Sequence, residues 1–307
     1  MVTAFYVVLF AIGTAFGSFL NVVTLRYQPG RSVFSMKALG LSAQAGGRSH
    51  CQHCGKTLTA VELIPLVSYL LQRGRCRSCK APLSLQYPIV EFVSGAVWVT
   101  VPLFVSSFYG ISSGVFASLA APLWGYGLAL VWVAVFLTWL AIFVIDLRHY
   151  LIPDELNLFL AALGVAAILL LVAYHGAIPA FRDSFLRHYA LLASPAALGV
   201  WVNHLLGAAA GGLLFGLLVF LGRGRAMGMG DVKLALASGL LLGWPDILLA
   251  AMIAFILGGA WGLVLVCTKK KSFGDRVPFA PLFTLGAAAT VFLGYPLIGF
   301  YFSLFGF

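Results

Sequence analysis

The chain has 307 residues, 62% of them hydrophobic and only 9% charged. A water-soluble domain carries about 25% charged residues, so the composition excludes a soluble globular protein. The net charge of +10 does not mark a nucleic-acid partner, because the cations sit in a few loops between apolar segments, as topology determinants do.

In chain order, the apolar stretches have the length a helix needs to cross a bilayer, about 20 residues. Eight spans are expected, at 2–25, 84–108, 122–145, 152–174, 204–222, 226–244, 246–267 and 278–306. The first has no basic region ahead of it and no cleavage-like ending, so it reads as a retained helix and not a signal peptide. The apolar run 189–222 is broken by Pro195, Asn203 and His204, which leaves its first part open to being an interfacial helix. The expected fold is therefore an all-α polytopic membrane protein of about eight transmembrane helices. Its organisation reads as a first transmembrane helix over 1–25, a cytoplasmic zinc-ribbon-like loop over 26–83 and a transmembrane bundle over 84–307.

The loops and helix ends at 26–83, 146–151, 223–233 and 268–277 hold 17 of the 19 Lys and Arg, leaving only Arg182 and Arg187 elsewhere. Positive charge marks the cytoplasmic side, so both termini are expected outside and the long loop inside. Gly13 and Gly17, Gly207, Gly211 and Gly212, and Gly258 and Gly259 read as plain helix-packing positions, since small residues let backbones approach in lipid. No convincing internal repeat is visible.

Four of the five cysteines form two pairs, Cys51-x-x-Cys54 and Cys76-x-x-Cys79, each beside a turn glycine, Gly55 or Gly74. Two such knuckles present four thiolates as the tetrahedron zinc accepts, in a closed site that folds a loop and does no catalysis. Two disulfides or a redox dithiol are the alternatives, and disulfides are disfavoured on the cytoplasmic side. Cys267 stands alone and reads as a small apolar residue.

Acids are scarce, nine in all, and a carboxylate at a bilayer edge is costly and usually functional. Asp183, Asp246 and Asp275 are expected in loops or at helix edges, where solvation is easy. Asp154 and Glu155 follow Pro153 and read as first-turn acids that complement a helix dipole. Asp146 closes the apolar run from Trp132, and Asp231 follows Gly228-Met229-Gly230 on the same membrane side. Two such carboxylates, if brought together, share a proton, one acting as base toward water and the other as acid toward a leaving group. The residues by themselves leave that pairing open against a proton relay in a small transporter, or against an assembly subunit that docks through its zinc loop.

The chain resembles the type IV prepilin peptidases, also called leader peptidase/N-methyltransferases. The resemblance rests on Gly17-Ser18-Phe19-Leu20-Asn21-Val22-Val23, the paired cysteines with Ile64-Pro65-Leu66-Val67-Ser68 and Arg73-Gly74-Arg75 between them, and Tyr87-Pro88-Ile89-Val90-Glu91. It continues through Asp146 with Ile152-Pro153-Asp154, Gly228-Met229-Gly230-Asp231-Val232-Lys233, and Arg276-Val277-Pro278-Phe279-Ala280-Pro281. It implies Asp146 and Asp231 as the catalytic pair of an aspartyl protease of the GxGD type, with Gly228, Gly230 and Lys233 as supporting motif residues. It also implies cleavage of the basic leader of type IV prepilins or type II secretion pseudopilins after a glycine, in the bacterial inner membrane. Methylation of the new N-terminus with S-adenosylmethionine is implied too, but no glycine fingerprint locates a site for that cofactor. Glu62, Glu91, Asp154 and Glu155 are the acids expected to be available to a basic leader. The segment 175–203 is long for a linker of this family.

Overall fold

The computed structural model describes residues 2–35, 49–109, 123–174, 183–193, 199–224, 227–272 and 275–306. Arg182, Arg225 and Pro195 lie outside the described residues. The described residues form a helical protein: α1 Val2–Arg26, α2 Val67–Leu71, α3 Gln86–Phe108, α4 Leu123–His149, α5 Asp154–Tyr174, α6 Ala190–Ala193, α7 Val200–Leu221, α8 Met229–Leu242, α9 Asp246–Cys267 and α10 Ala280–Ser303. Among the described residues, seven of these helices are long and apolar enough to cross a membrane, and the chain is a multi-pass membrane protein.

The eighth expected span, 226–244, is corrected by α8, which has 14 residues. That is about 21 Å of helix against an apolar core of about 30 Å. Glycine sets both ends: Gly228 is extended before the first turn, and Gly243 ends the helix at φ 79°, a conformation that carries little cost only without a Cβ.

The chain divides into two compact units, Met1–Leu103 and Phe104–Phe307. In the first, α1 packs on α3 through the small residues expected to do so. A Cβ on Gly13 or Gly17 would stand 2.8 Å from Gly95 Cα or 2.7 Å from Glu91 Cα, and Ser94 Oγ donates to the Gly13 carbonyl at 2.6 Å. In the second, Gly207 and Gly211 of α7 lie directly on the backbone of Gly239 and Ala235 of α8. Gly259 differs from this pattern: no atom lies within 4 Å of its Cβ position.

Helix directions follow from two contacts. α4 and α5 are joined by only residues 150–153, so they run antiparallel. Gly230 faces Ile152 and Gly164 faces Leu240, so α5 and α8 run parallel, and α4 and α8 therefore oppose each other.

Asp183 and Asp246 are not solvated as expected. Asp246 opens α9 with no exposed surface and accepts hydrogen bonds from Ser184 Oγ and Phe185 N, both at 2.6 Å. Asp183, also buried, accepts from Asn203 Nδ2 at 3.1 Å. The ring of Phe185 packs against Phe104, Phe108 and Trp132. The described part of the segment 175–203 is thus pinned to the bundle by a buried carboxylate and an aromatic cluster.

Candidate active site and metal centre

Backbone hydrogen bonds build the two cysteine knuckles on one pattern. Cys51 N donates to Lys56 O and Gly55 N to Cys51 O, both at 2.9 Å; Cys76 N donates to Ala81 O at 2.9 Å and Lys80 N to Cys76 O at 3.0 Å. The flanking bridges, His50 with Thr57 and Arg75 with Pro82, repeat the same positions. This is a local structural repeat that sequence reading missed, because the residues between the cysteines differ. Gly55 (φ 69°) and Lys80 (φ 59°) occupy equivalent left-handed positions.

The four thiol sulfurs lie within 4.8 Å of one another, with Cys51 and Cys79 Sγ 3.8 Å apart. Sulfurs on a tetrahedron around zinc, at a Zn–S distance of about 2.3 Å, stand about 3.8 Å apart. All five cysteines are free of disulfides. The amides of Cys79 and Ser78 point at the Cys76 sulfur and bring its pKa down to about 6, which favours the thiolate a metal requires. At Cys79 the Ala81 amide works the same way, but burial and the neighbouring thiols push the thiol up to about 11. The donor set fits zinc, and Cys51, Cys54, Cys76 and Cys79 would hold it.

In the second unit, the two expected aspartates are each fastened at a helix N-terminus. Asp146, buried near the end of α4, accepts a hydrogen bond from Ala280 N at 3.2 Å, the first residue of α10. Asp231, in the first turn of α8, accepts from Gly228 N at 3.2 Å. The amides at a helix N-terminus, here the N-cap Gly228 of α8 and the first residue Ala280 of α10, have no partner within the helix and lie where it carries partial positive charge. Each holds one carboxylate oxygen, and the other oxygen has no hydrogen bond among the described residues.

The aspartates also share a register. Trp139 Nε1 of α4 donates to Ser238 Oγ of α8 at 3.2 Å. Because the helices are antiparallel, seven residues toward the same end from this bond lead to Asp146 on one and Asp231 on the other. Seven residues are about two turns, which keeps both side chains on the facing sides. Gly230 lets α8 begin close under the α4–α5 turn, its Cβ position 3.3 Å from Ile152. Lys233 pairs with Asp154 at 2.8 Å, tying the start of α8 to the start of α5.

Two acids expected to face a basic leader are engaged elsewhere. Glu62 is buried and accepts from Thr59 N and Oγ1, both at 2.9 Å, and these bonds hold its pKa below the usual carboxylate range. Glu91 is buried and accepts from Leu66 N at 2.8 Å. Asp154 remains exposed but ion-paired. The amide of Ala280 and the Trp139–Ser238 bond are the site elements that sequence reading missed. Neither a backbone N–H nor an interhelical contact has a sequence signal of its own.

Two family descriptions match the chain: "Bacterial Peptidase A24 N-terminal domain" over residues 11–105 and "Type IV leader peptidase family" over residues 130–263. The chain is 32% identical to the prepilin leader peptidase/N-methyltransferase of Burkholderia pseudomallei strain 1026b, over 96% of this chain and 87% of that protein. The chain belongs to the type IV leader peptidase family. It is similar along nearly its whole length to the Bacillus subtilis prepilin leader peptidase/N-methyltransferase as well, at 28% identity over 97% of this chain and 98% of that one. The type 4 prepilin-like proteins leader peptide-processing enzyme of Escherichia coli strain H10407 is 31% identical over 92% and 91%. No solved structure matches the chain significantly.

The family resemblance implies S-adenosylmethionine. A cavity of about 540 Å³ beside the second knuckle is lined by Arg73, Arg75, Arg77 and Lys80 together with Leu71, Gln72 and Cys76. Four cations oppose a sulfonium, and no lining acid is present to hold a ribose. This cavity does not fit the cofactor, and no methyl-transfer step is derived from it.

Proposed function

We propose that this membrane protein is an aspartyl endopeptidase that removes the leader from prepilin or pseudopilin substrates, with Asp146 and Asp231 as the catalytic pair. The observation that carries this reading is the facing placement of two carboxylates, each fixed through one oxygen by a helix N-terminal amide. In the reaction, one carboxylate takes a proton from water as its oxygen attacks the scissile carbonyl. The other, protonated, gives its proton to the departing amine as the C–N bond breaks.

The short α8 places Asp231 at the end of a helix that cannot span the bilayer, so a scissile bond at the membrane edge needs little unwinding of a substrate helix to reach it. The positive loops support a cytoplasmic position for this edge and for the zinc module, in the bacterial inner membrane. The four cysteines hold a structural zinc ion. Methylation of the new N-terminus with S-adenosylmethionine rests on the names of the relatives alone.

The test is cleavage of a membrane-embedded prepilin by the purified wild type and by Asp146→Asn and Asp231→Asn. Folded variants that retain metal and lose about 10³-fold or more in rate support the pair. A variant that cuts at near the wild-type rate removes that aspartate from the mechanism.

A further inference from the structure

We propose that α2 and the second cysteine knuckle form a docking site for the anionic phospholipid headgroups of the bilayer in which the chain is embedded. The placement comes from Glu91. It lies in the second turn of α3, a membrane span, and its Oε2 accepts the hydrogen bond from Leu66 N at the start of α2. That bond holds α2 level with the point where α3 enters the membrane.

Apolar surface follows at that level. Leu70 and Leu71 are 73% and 66% exposed, and Val67 is 48% exposed. Their spacing puts all three on one side of α2. Leu71 continues directly into the basic cavity, where Arg73, Arg75, Arg77 and Lys80 converge. Exposed leucines beside clustered cations, at an interface, are the pattern of a segment lying in the headgroup region.

Charge decides the occupant. Between residues 26 and 103 the acids are Glu62 and Glu91, and both are buried in hydrogen bonds of their own. Glu62 also pairs with Lys56 at 3.8 Å, so the face presents cations with no exposed carboxylate between residues 26 and 103. It repels a basic peptide segment and attracts phosphate-bearing lipid, more weakly as salt rises. The tethers agree, since the module leaves one span at Arg26 and enters the next at Gln86.

The test uses the full chain with its zinc in nanodiscs of phosphatidylcholine alone or mixed with phosphatidylglycerol. Hydrogen–deuterium exchange is followed over residues 63–80. Exchange is expected to slow by about tenfold with phosphatidylglycerol, and high salt should reverse the effect. Replacing Arg73, Arg75, Arg77 and Lys80 together by Gln should reduce the lipid effect to less than about twofold with zinc content unchanged. A Leu70→Ser, Leu71→Ser variant, which leaves the knuckle intact, should reduce it as well. Equal exchange in the two lipids overturns the proposal. So does protection that appears only when a prepilin is added, which would make the surface a protein-docking face.

Discussion

The backbone N–H of Ala280 donates to Asp146 Oδ2 at 3.2 Å, so one carboxylate both caps α10 and faces Asp231. The two roles separate by substitution. Asn keeps an acceptor for Ala280 but cannot exchange a proton, whereas Ala removes both. Asp146→Asn should lose cleavage with little change in melting temperature, and Asp146→Ala should lose cleavage and an additional ~1 kcal/mol of stability. Thermal unfolding in detergent, measured beside the activity assay, checks the difference.

The Trp139–Ser238 bond sets the register of α4 against α8 two turns from the aspartates. Trp139→Phe removes the donor and leaves an apolar ring, at a cost of about 1 kcal/mol. The expected result is slower cleavage with zinc content unchanged, because the metal module does not use this bond. A tenfold fall in kcat with unaltered KM would indicate that the register serves the chemical step; a loss in KM alone would assign the bond to substrate binding.

Zinc binding should release protons in a way the thiols dictate. With Cys76 brought down to about 6 and Cys79 pushed up to about 11, at about pH 7.5 Cys76 is already a thiolate and Cys79 is not. Cys79 must therefore give up its proton when metal binds. Calorimetric titration of the metal-free protein with zinc, in buffers of different ionisation enthalpy, counts the protons; a count of zero contradicts the assignment. Because the Cys76 value is depressed on folding, that thiolate's contribution is complete above its ordinary value near 9 and fades as pH falls through about 6. Metal retention should weaken over the same window.

Lys80 stands in the second knuckle where Gly55 stands in the first, both at positive φ. A side chain in that conformation costs roughly 1–2 kcal/mol. Lys80→Gly should therefore raise the resistance of the module to chelation by EDTA, and Gly55→Ala should lower it. The time course of zinc loss reads both.

Asp246 is an acid of a different kind from the pair. Its oxygens satisfy Ser184 Oγ and Phe185 N in a site without solvent. Asp246→Ala leaves those donors unpaired and should destabilise the protein by about 2–4 kcal/mol. The segment around Phe185 should then become accessible to protease, while molecules that stay folded still cleave substrate. Loss of activity with no change in proteolysis or melting would give Asp246 a part in the chemistry.

Hydropathy and charge by themselves located the long apolar helices, their order and the basic loops, although one of the eight expected spans, 226–244, proved too short to cross. Those properties depend on local composition, and a bilayer demands long helices whose backbone groups are satisfied internally. The cysteine spacing likewise determined the metal module, since a knuckle closes within a few residues. The sequence motif also singled out Asp146 and Asp231, but it could not place them face to face. That required α8 to oppose α4 and the amides of Gly228 and Ala280 to fix one oxygen of each. The fates of the other acids were decided only in three dimensions. Glu91, Asp183 and Asp246 are buried by partners 20 or more residues away in sequence, whereas Glu62 is held by Thr59, three residues before it. Burial of a charge depends on the hydrogen bonds that surround it, and those come from distant backbone groups as often as from neighbours in sequence. The length of α8 was decided the same way. Gly243 could have continued a span, but it takes a left-handed turn, with Asn203 of α7 receiving the next amide, Trp244 N, at 3.2 Å.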